Sequence, residues 1–257
     1  MQYIFLPPEQ FSATTARITG IDHQHLSRVL RARVGEKIVV LDGTGNAFHA
    51  ELVSIDKHEI TAHIEAPFVV DTEPAIHLTI AQALGKGDKF EEVVQHGTEA
   101  GASAFLPLRA DRCVVDVPGA KERERIARWQ QIAKGAAEQS RRALVPCVRQ
   151  FMTSSELIVQ ANTSANQAAL PLFMLHTNEN LNSSSAGAVI PLKVALQTLE
   201  NTDFLVLAIG PEGGWSPKEV SLAQKANIPL VSLGPRVLRT ETAALVAISQ
   251  IIYHFDV

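Results

Sequence analysis

The order of apolar and polar residues divides the chain into two parts with different periodicity. Over the first seventy or so residues, short segments alternate apolar and polar side chains, as half-buried strands do. This pattern predicts strands at Lys37–Leu41, Asn46–Val53 and Ile60–Glu65, with a hairpin loop at Thr44-Gly45. A helix is predicted ahead of them, at about Gln24–Arg31. Short strands this close together favour a small β-barrel.

The second part of the chain alternates buried strands with helices. The segment from Ala66 to Pro74 carries two prolines and marks a domain boundary, which we place between residues 72 and 73. Strands are predicted at Leu170–His176 and at His77–Ala83, Ala104–Leu108, Phe204–Ile209 and Leu230–Leu233. Helices are predicted at Lys89–Glu99, at Lys121–Gln139 and in a last segment that ends near His254. This alternation predicts an α/β domain with a mostly parallel sheet over residues 73–257. Segments 162–167 and 178–187, rich in Asn, Ser and Ala, are predicted to be loops.

Composition agrees with a globular protein and excludes several classes. The 257 residues are 46% hydrophobic and 19% charged, and no apolar run reaches the roughly 18 residues of a membrane-spanning helix. The N-terminus lacks the pattern of a signal peptide, and two cysteines cannot form a disulfide framework. We therefore expect a cytoplasmic protein without a membrane partner. The net charge of −4 argues against non-specific nucleic-acid binding, although arginines cluster locally, as at Arg28, Arg31 and Arg33.

A glycine-rich turn follows the apolar segment Phe204–Ile209. The residues Gly210-Pro-Glu-Gly-Gly-Trp lead into a helix for which Ser216 is the predicted N-cap, with Pro217 at its first position and Glu219 completing a capping box. Parallel α/β sheets bind ligands beyond the carboxyl ends of their strands, where these glycines lie. The spacing fits neither the dinucleotide fingerprint nor a P-loop. On these residues alone, a ligand-binding loop and a tight strand-to-helix turn both remain open.

A second loop repeats this arrangement after the strand at Leu230–Leu233. It contains Gly234, Arg236, Arg239 and Glu241 between apolar residues. Two arginines and a carboxylate are entropically costly to order in a loop without a purpose. A third, weaker cluster lies near the end of the long helix, at Glu138-Gln-Ser-Arg-Arg.

The motifs together resemble one known family. Gly210-Pro-Glu-Gly-Gly-Trp and Leu233-Gly-Pro-Arg-Val-Leu-Arg-Thr-Glu-Thr-Ala are similar to motifs of the ribosomal RNA small subunit methyltransferase E family, in the SPOUT superfamily. Further matches cover nearly the whole chain: His25-Leu-Ser-Arg-Val-Leu-Arg, Asp42-Gly-Thr-Gly, Lys86-Gly-Asp-Lys, Thr98-Glu-Ala-Gly, Arg112-Cys-Val-Val and Glu138-Gln-Ser-Arg-Arg…Pro146. The chain departs from the family in having no arginine before Arg17.

The resemblance implies a fold, a reaction and partners. Residues 1–72 would form a PUA-like β-barrel that binds RNA, and residues 73–257 a SPOUT domain whose parallel sheet carries a deep trefoil knot. The implied protein is a homodimer. It methylates N3 of a uridine in small-subunit (16S) ribosomal RNA with S-adenosylmethionine, preferring the assembled subunit to naked RNA.

Site roles follow from the resemblance and from the chemistry of the reaction. N3 of uracil carries a proton, so the site needs a base or cations that stabilise the resulting anion. We assign Glu241 as the candidate base or orienting group and Arg239 as the group that stabilises the anion or binds phosphate. The expected cofactor-binding residues lie in the two loops: Ile209, Gly210, Pro211, Glu212, Gly213, Leu233, Gly234 and Leu238. The expected phosphate contacts are Arg28, Arg31, Arg112 and Arg142.

Three other interpretations compete with this one. The first is a non-catalytic RNA-binding or ribosome-assembly protein that does not bind the cofactor. The second is an α/β enzyme that binds a nucleotide phosphate at the Gly210 turn. The third is a related knotted methyltransferase that acts on transfer RNA or another RNA. The scattered histidines show no metal-binding spacing, so no metal is expected.

Overall fold

The chain forms two compact units. The structure, a computed structural model, describes residues 1–115, 117–163, 171–177, 189–199 and 202–256. The first unit consists of Met1–Glu73 together with Lys134–Val145, and the second of Pro74–Ala133 together with Pro146–Val257. No pattern in the sequence had indicated that the segment Lys134–Val145 belongs to the same unit as the N-terminal residues.

The first unit is built on a five-stranded sheet. Its strands are β1 (Gln2–Phe5), β2 (Thr15–Thr19), β3 (Lys37–Leu41), β4 (Asn46–Ile55) and β5 (Glu59–Val69). The spatial order is β1-β3-β4-β5-β2, with β1 parallel to β3 and the other neighbours antiparallel. Helix α1 (Gly20–Gln24) continues as a π-helical turn at His25–Val29. The helix predicted at Gln24–Arg31 is therefore present, but it starts earlier and ends at Val29.

Strand β3 is buried on both faces, which explains why its apolar residues run without interruption. Ile38 and Val40 belong to a core shared with Leu52 of β4 and with Leu26 of the π-helical turn. Val39 and Leu41 face the opposite side, where they pack with Ala137 from the segment Lys134–Val145. That segment thus covers the second face of the sheet, which would otherwise expose an apolar surface to water.

The second unit has a parallel sheet with helices on both faces. Its strands in the described residues are β6 (His77–Ala83), β7 (Ala104–Arg109), β8 (Cys147–Val148), β9 (Met152–Thr153), β10 (Leu172–Leu175), β11 (Ile190–Pro191), β12 (Phe204–Ile209) and β13 (Leu230–Ser232). The order is β11-β13-β10-β12-β6-β7-β8, with β9 also pairing with β7, and all neighbours are parallel. The helices are α2 (Lys89–Glu99), α3 (Gly119–Ser140), α4 (Ser154–Thr163), α5 (Leu192–Leu196), α6 (Pro217–Lys225) and α7 (Thr240–Asp256). Helix α3 contributes its last residues, from Lys134, to the first unit.

The central strands are buried between two layers of helices. On one face, Ala81 and Leu106 pack in a core with Leu157 of α4 and Ala223 of α6. On the other face α2 lies close to β7 and α7, because Gly97 lacks a side chain. A Cβ at this glycine would lie 2.8 Å from Phe105 Cε1 and 3.2 Å from Ile248 Cδ1.

These observations confirm the α/β class, the parallel sheet and the separate N-terminal sheet. The chain threading that would make a trefoil knot stays a prediction, as does the domain boundary between residues 72 and 73. Of the predicted loops, residues 164–167 and 178–187 lie outside the described residues, whereas Asn162 and Thr163 belong to α4. None of the helices in the described ranges has the length and apolar character needed to cross a bilayer.

Candidate functional site

A cavity of about 570 Å³ opens beyond the carboxyl ends of three neighbouring strands of the second unit. The loops that follow β10, β12 and β13 supply most of its wall, and Lys89 and Arg112 add charged side chains. This is the end of a parallel sheet where open α/β folds bind ligands. The residues that line it are Lys89, Arg112, Leu175, His176, Thr177, Ile209, Gly210, Pro211, Glu212, Gly213, Gly214, Trp215, Leu233, Gly234, Arg236, Val237, Leu238, Arg239, Thr240 and Ala243. All eight residues predicted to bind the cofactor are among them.

The glycine-rich turn after β12 is fixed at both ends. The Gly214 N–H donates to the Pro211 carbonyl at 2.8 Å, and Gly214 has a positive φ of 66° that other residues rarely adopt. Trp215 is buried, and its indole N–H donates to the Leu175 carbonyl at 2.8 Å. Arg112 donates from Nη1 to the Gly213 carbonyl at 2.9 Å. The turn is therefore held in shape by contacts with other parts of the protein.

The helix behind this turn begins with the predicted capping box. Ser216 Oγ accepts from the Glu219 N–H, and the Glu219 carboxylate accepts from the Ser216 N–H at 2.7 Å. Glu219 is fully buried and also accepts from Ser154 Oγ at 2.5 Å and from the Asp111 N–H at 3.1 Å. Asp111 in turn accepts from Ser216 Oγ at 2.6 Å. The carboxylate thereby joins the start of α6 to the loop that carries Arg112, a role that the sequence did not indicate.

The loop after β13 brings Arg239 to the cavity wall and places Glu241 behind it. Arg239 is exposed, and its carbonyl accepts from the Ala243 N–H at 2.8 Å in the first turn of α7. Arg239, Thr240 and Ala243 line the cavity, whereas Glu241 between them does not. Thr240 Oγ1 donates to Glu241 Oε2 at 3.2 Å. Arg239 and Glu241 are thus brought together, but only Arg239 faces the cavity.

Lys89 is a lining residue that sequence reasoning did not assign to the site. Its Nζ lies 2.8 Å from Glu212 Oε1 and 3.6 Å from Glu241 Oε2. The hydrogen bond to Glu212 raises the pKa of Lys89, and the same contact lowers the pKa of Glu212. Lys89 lies within the motif Lys86-Gly-Asp-Lys, but 123 positions separate it from Glu212, so no local spacing could have indicated the pair.

The arginines expected to contact RNA fall into three environments. Arg28 and Arg31 are exposed in the first unit, and Arg31 has a positive φ of 53°. Arg112 lines the cavity, where one of its nitrogens is committed to the Gly213 carbonyl. Arg142 is 3% exposed and bonds to the carboxylate of Glu73, which also accepts from the backbone of the residues after Arg142. Because its guanidinium is enclosed, we leave Arg142 out of the RNA-binding set proposed below.

Comparisons with known proteins define the class of protein to which this fold and site belong. A family model described as an RNA methyltransferase domain matches residues 72–252, and one described as an RNA methyltransferase PUA domain matches residues 16–65. The first model alone covers more than half of the chain and includes the whole cavity. The chain is thus built like an RNA methyltransferase with a PUA domain.

Sequence relatives identify the family. The chain is 33% identical over 255 residues to ribosomal RNA small subunit methyltransferase E of Bacillus subtilis, covering 99% of this chain and 96% of the relative. It is 36% identical over 248 residues to the protein of the same name from Synechocystis, covering 96% of this chain and 76% of the relative. The chain belongs to the ribosomal RNA small subunit methyltransferase E family.

Solved structures agree with this assignment. A ribosomal RNA small subunit methyltransferase E from Neisseria gonorrhoeae, bound to S-adenosyl methionine, matches with a TM-score of 0.83 and 31% identity over 99% of this chain and 98% of that one. A Legionella pneumophila protein in complex with the bound cofactor SAM also matches with a TM-score of 0.83, at 29% identity over 98% of this chain and 97% of that one.

Proposed function

We propose that this protein transfers a methyl group from S-adenosylmethionine to N3 of a uridine in small-subunit ribosomal RNA, and that it acts on the assembled subunit. A substrate of this kind places the activity in the cytoplasm. Residues 1–72 serve as the RNA-binding PUA-like domain and residues 73–257 as the methyltransferase domain. The matches of the two family models, to residues 16–65 and 72–252, support this division.

One observation carries the proposal. The two loops whose motifs resemble the family, after β12 and after β13, meet at one cavity whose lining contains every residue predicted to bind the cofactor. Two sequence segments some twenty residues apart would not converge on one cavity unless the fold brought the carboxyl ends of their strands together. Relatives that share both fold and sequence hold the same cofactor in their solved structures.

The lining fits a nucleoside with a charged tail. Ile209, Leu233 and Leu238 offer apolar wall on both loops, and cavities of roughly 300–1,000 Å³ are typical of small-molecule sites. Gly210 and Gly213 expose backbone groups that can hydrogen-bond to a base and a ribose. When bound, S-adenosylmethionine supplies a methyl group on a sulfonium, which is already a strong electrophile. The chain's own residues therefore have to align the acceptor atom and exclude water.

Removal of the N3 proton of uracil is the task left to side chains. Arg239 reaches the cavity as an exposed cation, suited to stabilise negative charge on the uracil oxygens or to bind the adjoining phosphate. Glu241 lies behind Thr240, which donates to it at 3.2 Å. In this position Glu241 accepts the proton through a small movement of its side chain or orients the group that does. Lys89 Nζ lies 3.6 Å from Glu241 Oε2, so the carboxylate has a cation beside it at the edge of the cavity.

The RNA must present an unstacked base, since N3 is paired or stacked inside a helix. Arg112 and Arg236 sit with Arg239 along the cavity, and their cationic side chains are suited to the phosphates that flank such a base. Arg28 and Arg31 are exposed on the first unit and serve as its phosphate contacts. These contacts give affinity and orientation, whereas the cavity selects the base.

The active form is proposed to be a homodimer. Leu245 and Tyr253 are exposed on α7, 39% and 71% respectively, and lie eight positions apart, which puts them on one side of the helix. Val237 in the cavity loop is also exposed. Val237 lines the cavity and Leu245 follows the lining residue Ala243 by two positions, so these apolar groups lie close to the site and are suited to a second copy of the chain. The molar mass from light scattering after size-exclusion chromatography tests this assignment. The mass of a monomer at the concentration used in the activity assay would contradict it.

The proposed activity is tested by methyl transfer from labelled S-adenosylmethionine. The acceptors are small ribosomal subunits from a strain lacking this gene, naked small-subunit RNA from that strain, and bulk transfer RNA. We expect label in the RNA of the subunit and much less in the other two. Label in transfer RNA alone would indicate a related methyltransferase with another substrate.

Binding measurements separate the remaining alternatives. Calorimetry with S-adenosylmethionine, ATP and NAD is expected to show binding of the first only. Stabilisation by ATP or NAD instead would favour a nucleotide-phosphate site at the Gly210 turn. A chain that binds subunits but none of the three ligands would be a non-catalytic assembly protein.

A further inference from the structure

The ammonium group of Lys89 lies near two carboxylates, one in the glycine-rich turn and one in the first turn of α7, which follows the second cavity loop. It is 2.8 Å from Glu212 Oε1 in the glycine-rich turn and 3.6 Å from Glu241 Oε2 at the start of α7. Lys89 itself comes from the first turn of α2 and also lines the cavity. A single cation from a third element is thus placed where it attracts both loops.

The absence of a side chain at Gly85 leaves room for the Lys89–Glu212 ion pair. A Cβ at this position would be 2.9 Å from Glu212 Oε1 and 3.2 Å from Lys89 Cδ. The side chains are 28% exposed for Lys89, 38% for Glu212 and 14% for Glu241. Partial burial strengthens the attraction beyond that of a fully solvated pair, and it makes two neighbouring carboxylates costly without the cation.

We propose that Lys89 is a positioning residue that ties the two cofactor-binding loops together through Glu212 and Glu241, so that the cavity holds its binding geometry before the ligand enters. This inference rests on the proposed function, because it concerns the affinity of that site for S-adenosylmethionine. Beyond that function, the inference assigns to Lys89 the roles of preorganising both loops and of orienting Glu241. Preorganisation raises affinity by removing the cost of ordering a loop upon binding.

The test begins with Lys89→Met, which keeps the length of the side chain and removes the charge. Calorimetry should show that the Kd for S-adenosylmethionine rises about tenfold, between the effects of exposed and buried ion pairs. The same increase is expected for S-adenosylhomocysteine, which binds without any reaction. Lys89→Arg should recover most of the affinity, and Lys218→Met, on the exposed first turn of α6, should behave as the wild type.

Two further variants keep the inference testable if Lys89→Met folds poorly. Gly85→Ala displaces the ion pair without removing a charge and should weaken binding in the same direction. In the double variant Lys89→Met with Glu212→Gln, the loss should be no larger than in Lys89→Met alone, because the carboxylate has already lost its partner.

The pH dependence provides a signature that a purely steric role would not. The pKa of Glu212 is lowered from its ordinary value of 4.5, so its pairing stabilises the fold above that value and is lost as pH falls further. The pKa of Lys89 is raised from 10.5, so its contribution is present below that value and is lost as pH rises through the raised pKa. The difference in melting temperature between wild type and Lys89→Met should therefore be constant near neutrality and shrink as pH falls below 4.5 and through the lowered pKa of Glu212.

The outcomes distinguish this inference from the proposed function. A wild-type chain that does not bind S-adenosylmethionine defeats the proposed function before Lys89 is considered. If the wild type binds and Lys89→Met and Gly85→Ala bind equally well, the positioning role is wrong. The role is also wrong if Lys89→Arg is as weak as Lys89→Met, because the charge would then not be what matters.

Discussion

The indole of Trp215 occupies the space that a side chain at Gly210 would need. A Cβ built on Gly210 would lie 3.1 Å from Trp215 Cε2 and 3.3 Å from its Nε1. The indole cannot move away freely, because it is buried and its N–H is bonded to the Leu175 carbonyl. The glycine at the end of β12 is therefore required by packing against the tryptophan five positions further on.

Gly210→Ala should consequently weaken both the fold and the cofactor site. Overpacking of this kind costs about 1–3 kcal/mol, and the displaced Trp215 would carry the glycine-rich turn with it. We expect a lower free energy of unfolding in urea and a higher Kd for S-adenosylmethionine. Gly135→Ala is a matched control, since nothing lies within 4 Å of the added Cβ in α3, and it should be neutral or stabilising. Equal effects of the two substitutions would contradict this account of Gly210.

Glu219→Gln tests whether the buried carboxylate organises the loop that carries Arg112. The amide keeps the size of the side chain, but its NH₂ group would face donors from Ser216, Ser154 or Asp111. An unsatisfied buried donor costs about 1–3 kcal/mol, so thermal and urea unfolding should show a loss of this order. Glu156→Gln is the control, because that carboxylate accepts from Thr153 in a similar local contact at the surface. If Glu156→Gln lowered the free energy of unfolding as much as Glu219→Gln, the burial of Glu219 would not explain the effect.

Arg239→Ala distinguishes the two tasks proposed for this side chain. If Arg239 stabilises the uracil anion, kcat should fall by about 10²- to 10³-fold with little change in the KM for subunits. If it binds phosphate, KM should rise and the salt dependence of binding should become shallower. The Kd for S-adenosylmethionine serves as a check that the cavity is intact. Unchanged kcat and KM together would exclude Arg239 from the site.

Arg28→Ala and Arg31→Ala should weaken binding to RNA without affecting the cofactor. Each phosphate contact removed should reduce the salt slope of binding by about one. Arg17→Ala is matched for charge in the same unit, but Arg17 is paired with Glu59, so its loss should have less effect. Arg142→Ala should instead lower stability by about 3 kcal/mol, because it leaves Glu73 without its enclosed partner. RNA affinity that responds to Arg142 but not to Arg28 or Arg31 would reverse our assignment.

The sequence predicted the central elements of the second unit closely. Apolar runs such as His77–Ala83 and Phe204–Ile209 are buried on both faces, so they are recognisable without knowledge of their neighbours. The capping box at Ser216 and Glu219 was equally readable, because both partners lie within one turn of helix. The strands Gln2–Phe5 and Thr15–Thr19 were not predicted, since each is too short to show a clear alternation.

Contacts between distant segments explain what the sequence could not predict. Lys89 pairs with Glu212 and Glu241 only because α2 and the two loops meet in the folded chain. Arg142 lies in the arginine-containing motif Glu138-Gln-Ser-Arg-Arg, which made it a candidate for binding RNA. Its burial depends on Glu73, 69 positions away. The loops after Phe204–Ile209 and Leu230–Ser232 were located correctly because each follows an apolar strand directly. That the two loops share one cavity required the order of the strands.

The central claim, that N3 of a uridine is the methylated atom, is tested most directly by identifying the modified nucleoside. Small subunits from a strain lacking this gene would be incubated with the purified protein and S-adenosylmethionine, and their RNA digested to nucleosides for mass spectrometry against synthetic standards. We expect 3-methyluridine to appear with the wild-type protein and to be strongly reduced with Glu241→Gln. The appearance of 5-methyluridine, a 2′-O-methylated nucleoside or a methylated cytidine in its place would contradict it.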